Sequence, residues 1–247
     1  MKRTIINALL AVILLLIIWQ ISSICLNKAF LPTVGQTVEV WLNQWQSGNL
    51  LKHTVISSRR ILGGLFLAVV LSIPLGLAMG RIKILDEIIS PLIYLLYPLP
   101  KVVFLPIIVV MMGLGDAPKI FLIALVVFFQ ILVQSRDAAK NIPSEYLENM
   151  RLDHANAWQR LWHLIIPFCL SDILTALRIT LGTSIAILFF AETFASVDGL
   201  GYFILNGMES RNYPQMYAGI ITMALLGLII YAVVDGAEKI FCRWKKY

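Results

Sequence analysis

Apolar positions in this chain run together in long blocks instead of alternating with polar ones. Six such blocks stand out: Ile5–Leu26, Ile61–Gly80, Ile88–Leu114, Ile120–Val133, Phe168–Phe190 and Met216–Ile240. About 20 apolar residues carry a helix across the hydrocarbon of a bilayer. The pattern therefore predicts an all-α, polytopic membrane protein with about six transmembrane helices. The fourth block is short, and an extension through Gln134 brings it closer to a full span. The third is long and interrupted by Pro98, Pro100 and Pro106. Such breaks are tolerated where neighbouring helices or water satisfy the freed carbonyls.

The segments between the blocks differ in character. In Asn27–Lys52, Trp41 and Trp45 lie four apart. That spacing suits either a short helix at the membrane interface, where Trp favours the headgroup level, or an ordinary loop. The connection Ser135–Ile166 is too polar to span and too patterned for a linker. It carries Glu145, Glu148, Arg151, Asp153 and Arg160 among Leu147, Leu152, Trp158, Leu161 and Trp162. An amphipathic element between two spans reads as a docking surface for a partner.

Composition agrees with lipid as the solvent. Of 247 residues, 59% are hydrophobic and 14% charged, against roughly 45–50% and 25% in soluble domains. The net charge of +6 does not point to nucleic acid, because the basic residues gather at the ends of the apolar blocks. That distribution sets orientation. With the N-terminus in the cytoplasm, Lys2, Arg3, Arg81, Lys83, Arg136, Lys140, Arg151, Arg160, Lys239, Arg243, Lys245 and Lys246 fall inside. Lys28, Lys52, Arg59, Arg60, Lys119 and Arg211 fall outside. Twelve against six predicts a multi-pass protein with both termini cytoplasmic. The layout is then an N-terminal transmembrane helix (1–30), an external loop (31–60), a core membrane domain (61–240) with the cytoplasmic connection 135–166, and a tail (241–247). Lys2 and Arg3 before Ile5–Ile18 have the look of a signal peptide. No small-x-small site follows, so a retained helix is expected. Cys25, Cys169 and Cys242 are scattered in apolar stretches and are read as packing residues.

The connection also carries the most specific motif. Permease subunits of bacterial ATP-binding-cassette (ABC) importers have a loop with Glu-Ala-Ala, three residues, Gly, nine residues, Ile, one residue and Leu-Pro. Here that spacing falls on Glu148, Asn149, Met150, His154, Leu164, Ile166 and Pro167. Glu148 and Pro167 match, Leu164 and Ile166 are conservative, and Asn149, Met150 and His154 depart. Further stretches, in order, resemble the nitrate/sulfonate/taurine-type branch: Leu31-Pro32-Thr33, Ile73-Pro74-Leu75-Gly76, Tyr97-Pro98-Leu99-Pro100-Lys101, Gly113-Leu114-Gly115, Ala191-Glu192 and Gly199-Leu200-Gly201-Tyr202. The chain thus resembles the inner-membrane component of a bacterial binding-protein-dependent transport system, from about Leu31 to Ile240.

The resemblance implies a type I ABC importer transmembrane domain in the cytoplasmic (inner) membrane, working as a dimer with the pathway between subunits. A homodimer is expected. The implied partners are two cytoplasmic ABC ATPase subunits, which would bind ATP and magnesium, and an extracytoplasmic substrate-binding protein. The solute would be nitrate, a sulfonate, taurine, bicarbonate or a thiamine precursor. No cofactor and no enzyme activity are expected of this chain, which lacks a Gly-x-x-x-x-Gly-Lys-Ser/Thr loop. The implied ATPase-coupling residues are Glu148, His154, Ala155, Asn156, Ala157, Trp158, Leu161 and Pro167. Ala155–His163 is expected to be a short helix with Ala155, Trp158 and Trp162 on one face. Glycine at the His154 position would supply a positive φ, and Asn, Asp and His are the other residues that tolerate it.

Ionisable and polar groups inside the blocks are the candidates for a pathway: Lys101, Gln130, Gln134, Thr183, Ser184 and Glu192. Each has a structural alternative. Lys101 is positioned to cap carbonyls freed by the proline break. Gln130, Gln134, Thr183 and Ser184 suit bonds between helices, the commoner use. Glu192 suits ordering of the Gly199–Gly201 turn. His53 and His163 look like interface residues, and nothing suggests a metal. The competing reading is an ATPase-independent secondary transporter or channel, which would call for inverted repeats and midplane relays. A membrane-embedded enzyme would need a convergent cluster of reactive side chains; neither pattern is evident.

Overall fold

The computed structural model of the chain describes residues 2–242, apart from the side chains of residues 2–5, 8 and 9. Of the tail, residues 243–247 lie outside the described residues, and with them Arg243, Lys245 and Lys246. The described residues are almost wholly helical, and they divide into two compact units. The first comprises residues 1–57 and 196–225, the second residues 58–195 and 226–247.

The first unit contains α1 (Lys2–Leu26), α2 (Val34–Gln46), the beginning of α3 (Asn49–Arg81), α10 (Leu200–Glu209) and the beginning of α11 (Tyr213–Phe241). Leu10–Leu26 is apolar, and most of it is exposed. Side-chain bonds tie its last turns to the following segment. Trp19 Nε1 donates to Pro32 O at 3.0 Å, and Ser23 Oγ donates to Leu31 O at 2.8 Å. Gln20 Oε1 accepts from the Val34 amide at 3.0 Å. The expected alternatives for 31–60 were an interfacial helix or a loop, and Val34–Gln46 is helical. It starts from a reciprocal capping box between Thr33 and Gln36, which satisfies donors that a helix start leaves orphaned. Trp41 Nε1 donates to Thr222 Oγ1 at 3.0 Å. The first amides of α10 are met by α3 side chains: Gly199 N–H donates to His53 Nδ1 and Leu200 N–H to Ser57 Oγ. His53 is buried and serves this turn.

The second unit holds α4 (Lys83–Leu96), α5 (Leu105–Met112), α6 (Ala117–Lys140), α7 (Ser144–Leu152), α8 (Ala157–Arg160) and α9 (Ile166–Thr193), with the remainder of α3 and α11. Its centre is α6, packed against α3 and α9. Gly64, Ala68, Ser72, Gly76 and Gly80 recur every fourth residue along α3. A Cβ on Gly76 would stand 2.6 Å from Leu132 O, and one on Gly80 would stand 2.5 Å from Arg136 O. Both contacts are with backbone, so only glycine lets the two helices come this close.

Among the described residues, four helices are long and apolar enough to cross a membrane: Asn49–Arg81, Ala117–Lys140, Ala157–Thr193 and Tyr213–Phe241. A further pair, Lys83–Leu96 and Lys101–Met112, is bent by 82°. This is the third apolar block, starting five residues earlier than its apolar run. The bend falls at Pro98 and Pro100, where proline supplies no amide to continue the ladder. Gly113 and Gly115 follow α5 at φ +78° and +126°, a conformation glycine adopts without steric cost.

Candidate functional site

The connection between α6 and α9 is built from two caps. At the end of α7, His154 adopts φ +54°. Its amide donates to Arg151 O, and the Ala155 amide donates to Met150 O, each at 3.0 Å. These two bonds form a Schellman cap. Histidine thus occupies the left-handed position that glycine holds in the family motif, and the sharp turn is retained. Asn156 then starts α8. Its Oδ1 accepts from the Gln159 amide, and Gln159 Oε1 accepts from the Asn156 amide, both at 2.8 Å.

The helix begins at Ala157, not at the expected Ala155, which lies between the Schellman turn and the cap. Asn156 is accordingly the cap and shares no helical face with Arg160. Residues Leu161–Ile165 then form a π-helical turn that runs unbroken into α9, with Pro167 in its first turn. Leu147, Leu164, Ile165 and Ile166 pack on a core of Leu77, Ala138, Ala139, Ile142, Cys169 and Ile173. The apolar motif positions Leu164 and Ile166 thus anchor the elbow. Trp158 and Trp162 meet edge to face at 5.6 Å between ring centroids and stay 66% and 51% exposed. Glu148 and Ala157 are exposed, and Leu161 is half-buried.

A cavity of about 360 Å³ lies beside the bend between α4 and α5. It brings together three of the six pathway candidates, Lys101, Gln130 and Thr183, with Tyr97, Phe129 and Phe190 among its walls. Lys101 Nζ donates to the carbonyls of Leu96, Tyr97 and Leu99 at 3.0, 3.0 and 3.4 Å. It also lies 4.7 Å from the Phe129 ring centroid. An ammonium has three donors, and these three carbonyls take them all. Lys101 therefore caps the proline break and lends its positive field to the cavity. Gln130 Oε1 is buried with no hydrogen-bond partner. The other three candidates lie elsewhere. Gln134 is exposed and does not line the cavity. Ser184 is buried and donates to Thr180 O at 2.8 Å.

Glu192 belongs to an ion cluster that sequence spacing does not reveal. It is fully buried and lies 2.9 Å from Arg60 Nη1, itself 1% exposed. Arg60 also reaches Asp116 at 2.7 Å, and Arg59 joins from the exposed side. The cluster links α3, the start of α6 and the end of α9. Burial pushes the Asp116 carboxyl up, but hydrogen bonds and charge from Arg60 and Arg59 outweigh it and hold Asp116 below its ordinary value. Arg178 meets Asp235 and Glu238 of α11 at 3.1 and 3.2 Å.

Residues 68–247 match the model of the family described as binding-protein-dependent transport system inner membrane component. The taurine transport system permease protein TauC of Escherichia coli is 30% identical over 94% of this chain and 86% of its own length. The formylaminopyrimidine transport permease protein ThiX of Halalkalibacterium halodurans is 28% identical over 95% of this chain and 94% of its own. The inward-facing MetNI methionine ABC transporter shares the fold, with a TM-score of 0.67 over 78% of this chain and 95% of that chain at 18% identity. The chain belongs to the family of binding-protein-dependent transport system inner membrane components and is a membrane permease subunit of an ABC importer.

Proposed function

We propose that two copies of this chain enclose the pathway of an inner-membrane importer for a small anionic or heterocyclic solute, with both termini cytoplasmic. Two ATPase subunits, which bind ATP and magnesium, drive it from the cytoplasm, and an external binding protein delivers the solute. The chain itself contributes no hydrolysis. TauC is named for taurine and ThiX for formylaminopyrimidine; both are small, polar, nitrogen-bearing solutes, and this supports the solute class. Family membership favours an ATP-driven importer over an ATPase-independent carrier.

The observation that carries the coupling role is the continuity of α8, the π-turn and α9, with Trp158 presented at its free end. Closure of the ATPases pushes α8 through Trp158 and Leu161. Because no loop intervenes, the push tilts α9 and switches the open side of the pathway. The bent pair and the Lys101 cavity lie along that route, with Gln130 and Thr183 as the groups that touch the solute. The test is Ala157→Glu combined with Trp158→Asp in the assembled transporter. Solute-stimulated ATP hydrolysis is expected to fall to background and the ATPase subunits to dissociate, with membrane insertion unchanged. Normal transport with the ATPases retained would remove α8 as the coupling element.

A further inference from the structure

The first unit contains a cavity of about 890 Å³, lined where α1 ends, where α2 begins and where residues 211–214 turn into α11. Three charged side chains line it: Lys28, Glu39 and Arg211. Among the described residues, none of these three side chains has an ion-pair or hydrogen-bond partner. Asn27 and Arg211, both at its edge, adopt φ +45° and +56°, conformations uncommon for residues other than glycine. The walls are held by the Trp19, Gln20 and Ser23 bonds to residues 31–34 and by the Trp19–Tyr217 ring stack at 5.4 Å. Tryptophan and tyrosine so arranged belong at the headgroup level of a bilayer.

One wall continues into an apolar lane. Ile24 lines the cavity, and Ile21 and Ile17 follow on the same face of α1, exposed by 64%, 55% and 49%. A charged pocket opening onto an apolar strip is complementary to an amphiphile. The charges narrow the class. Lys28 and Arg211 suit a phosphate, but Glu39 repels a purely anionic group and suits an ammonium. We propose that this cavity binds the headgroup of a zwitterionic phospholipid, with Lys28 and Arg211 taking the phosphate, Glu39 the ammonium, and an acyl chain lying along Ile24, Ile21 and Ile17. The site needs only that α1 lies in the membrane. It depends on neither the orientation nor the solute proposed above.

The test is native mass spectrometry of the purified full chain after exchange into detergent carrying phosphatidylethanolamine or phosphatidylglycerol. Wild type is expected to retain phosphatidylethanolamine in preference to phosphatidylglycerol. The double variant Lys28→Gln/Arg211→Gln should weaken that retention roughly tenfold or more. Glu39→Gln should reverse the headgroup preference towards phosphatidylglycerol. Unchanged circular dichroism would exclude misfolding, since all three side chains are exposed. Equal retention by wild type and the double variant would overturn the proposal. So would displacement of the lipid by soluble phosphoethanolamine at matched concentration, which would make the cavity a solute site. Retention lost only when an external binding protein is added would make it a protein-docking surface and would also overturn the proposal.

Discussion

Arg60 and Arg59 are neighbours in sequence with opposite burdens. Arg60 is 1% exposed and paired with Glu192 and Asp116, whereas the Arg59 side chain is 67% exposed. Removing one partner of a buried pair leaves an uncompensated charge and costs about 3–5 kcal/mol. Glu192→Ala is expected near the lower end of that range, because Asp116 still holds Arg60. Arg59→Ala should cost no more than about 1 kcal/mol. Thermal unfolding in detergent measures both, and equal losses would contradict the assignment. Asp116 adds a pH dependence. Its folded pKa lies below the ordinary 3.8, so its stabilisation is present above that value and is lost as pH falls through the folded pKa. The melting temperature should drop on acidification below about pH 4, and less steeply in Asp116→Asn.

At the scale of elements, the α7–α8 elbow depends on one left-handed residue. His154→Gly removes the Cβ penalty of roughly 1–2 kcal/mol for that conformation while the Schellman bonds remain. It should retain the ATPase subunits as well as wild type does. His154→Val places a β-branched residue where it is a genuine outlier and should loosen the elbow. Co-purification of the ATPases and protease sensitivity between α7 and α8 report the difference. If glycine and valine behave alike, the turn is not held by its backbone. The π-turn that follows bears on the same question. It joins α8 to α9 without a loop, so a displacement at Trp158 has no slack in which to dissipate.

For the whole molecule, large apolar side chains such as Val110, Met111 and Ile179 are 72–85% exposed on the single chain. Lipid covers such side chains at no cost, but Thr183 on α9 and the cavity beside the bend place polar groups at the same surface, where hydrocarbon leaves them unsatisfied. Native mass spectrometry of the purified chain should therefore show a dimer. Transport by a protein that stays monomeric would contradict a shared pathway. Cysteines placed at Lys245 and Lys246 should react with impermeant reagents only from the cytoplasmic side.

The sequence by itself determined the class of solvent, the helical state and the family. The reason is that apolar run length, basic-residue placement and an ordered set of short motifs are all local properties. It also showed where the third span would break, since Pro98 and Pro100 have one backbone consequence wherever they sit; that His154 keeps the turn is seen only in its φ of +54°. Other features were decided only in three dimensions. Arg60 and Glu192 are 132 residues apart, and no periodicity links them. The Lys101 carbonyls were suggested by the break, but Gln130 and Thr183 join Lys101 only because α6 and α9 pack face to face, and that same packing leaves Gln134 and Ser184 outside the cavity. α8 starts at Ala157 and not at Ala155 because Asn156 and Gln159 cap each other and the Ala155 amide closes the Schellman turn on Met150 O. Spacing reports which residues share a face. Which faces meet is settled by close contacts such as Gly76 against Leu132, and those exist only once the helices have packed.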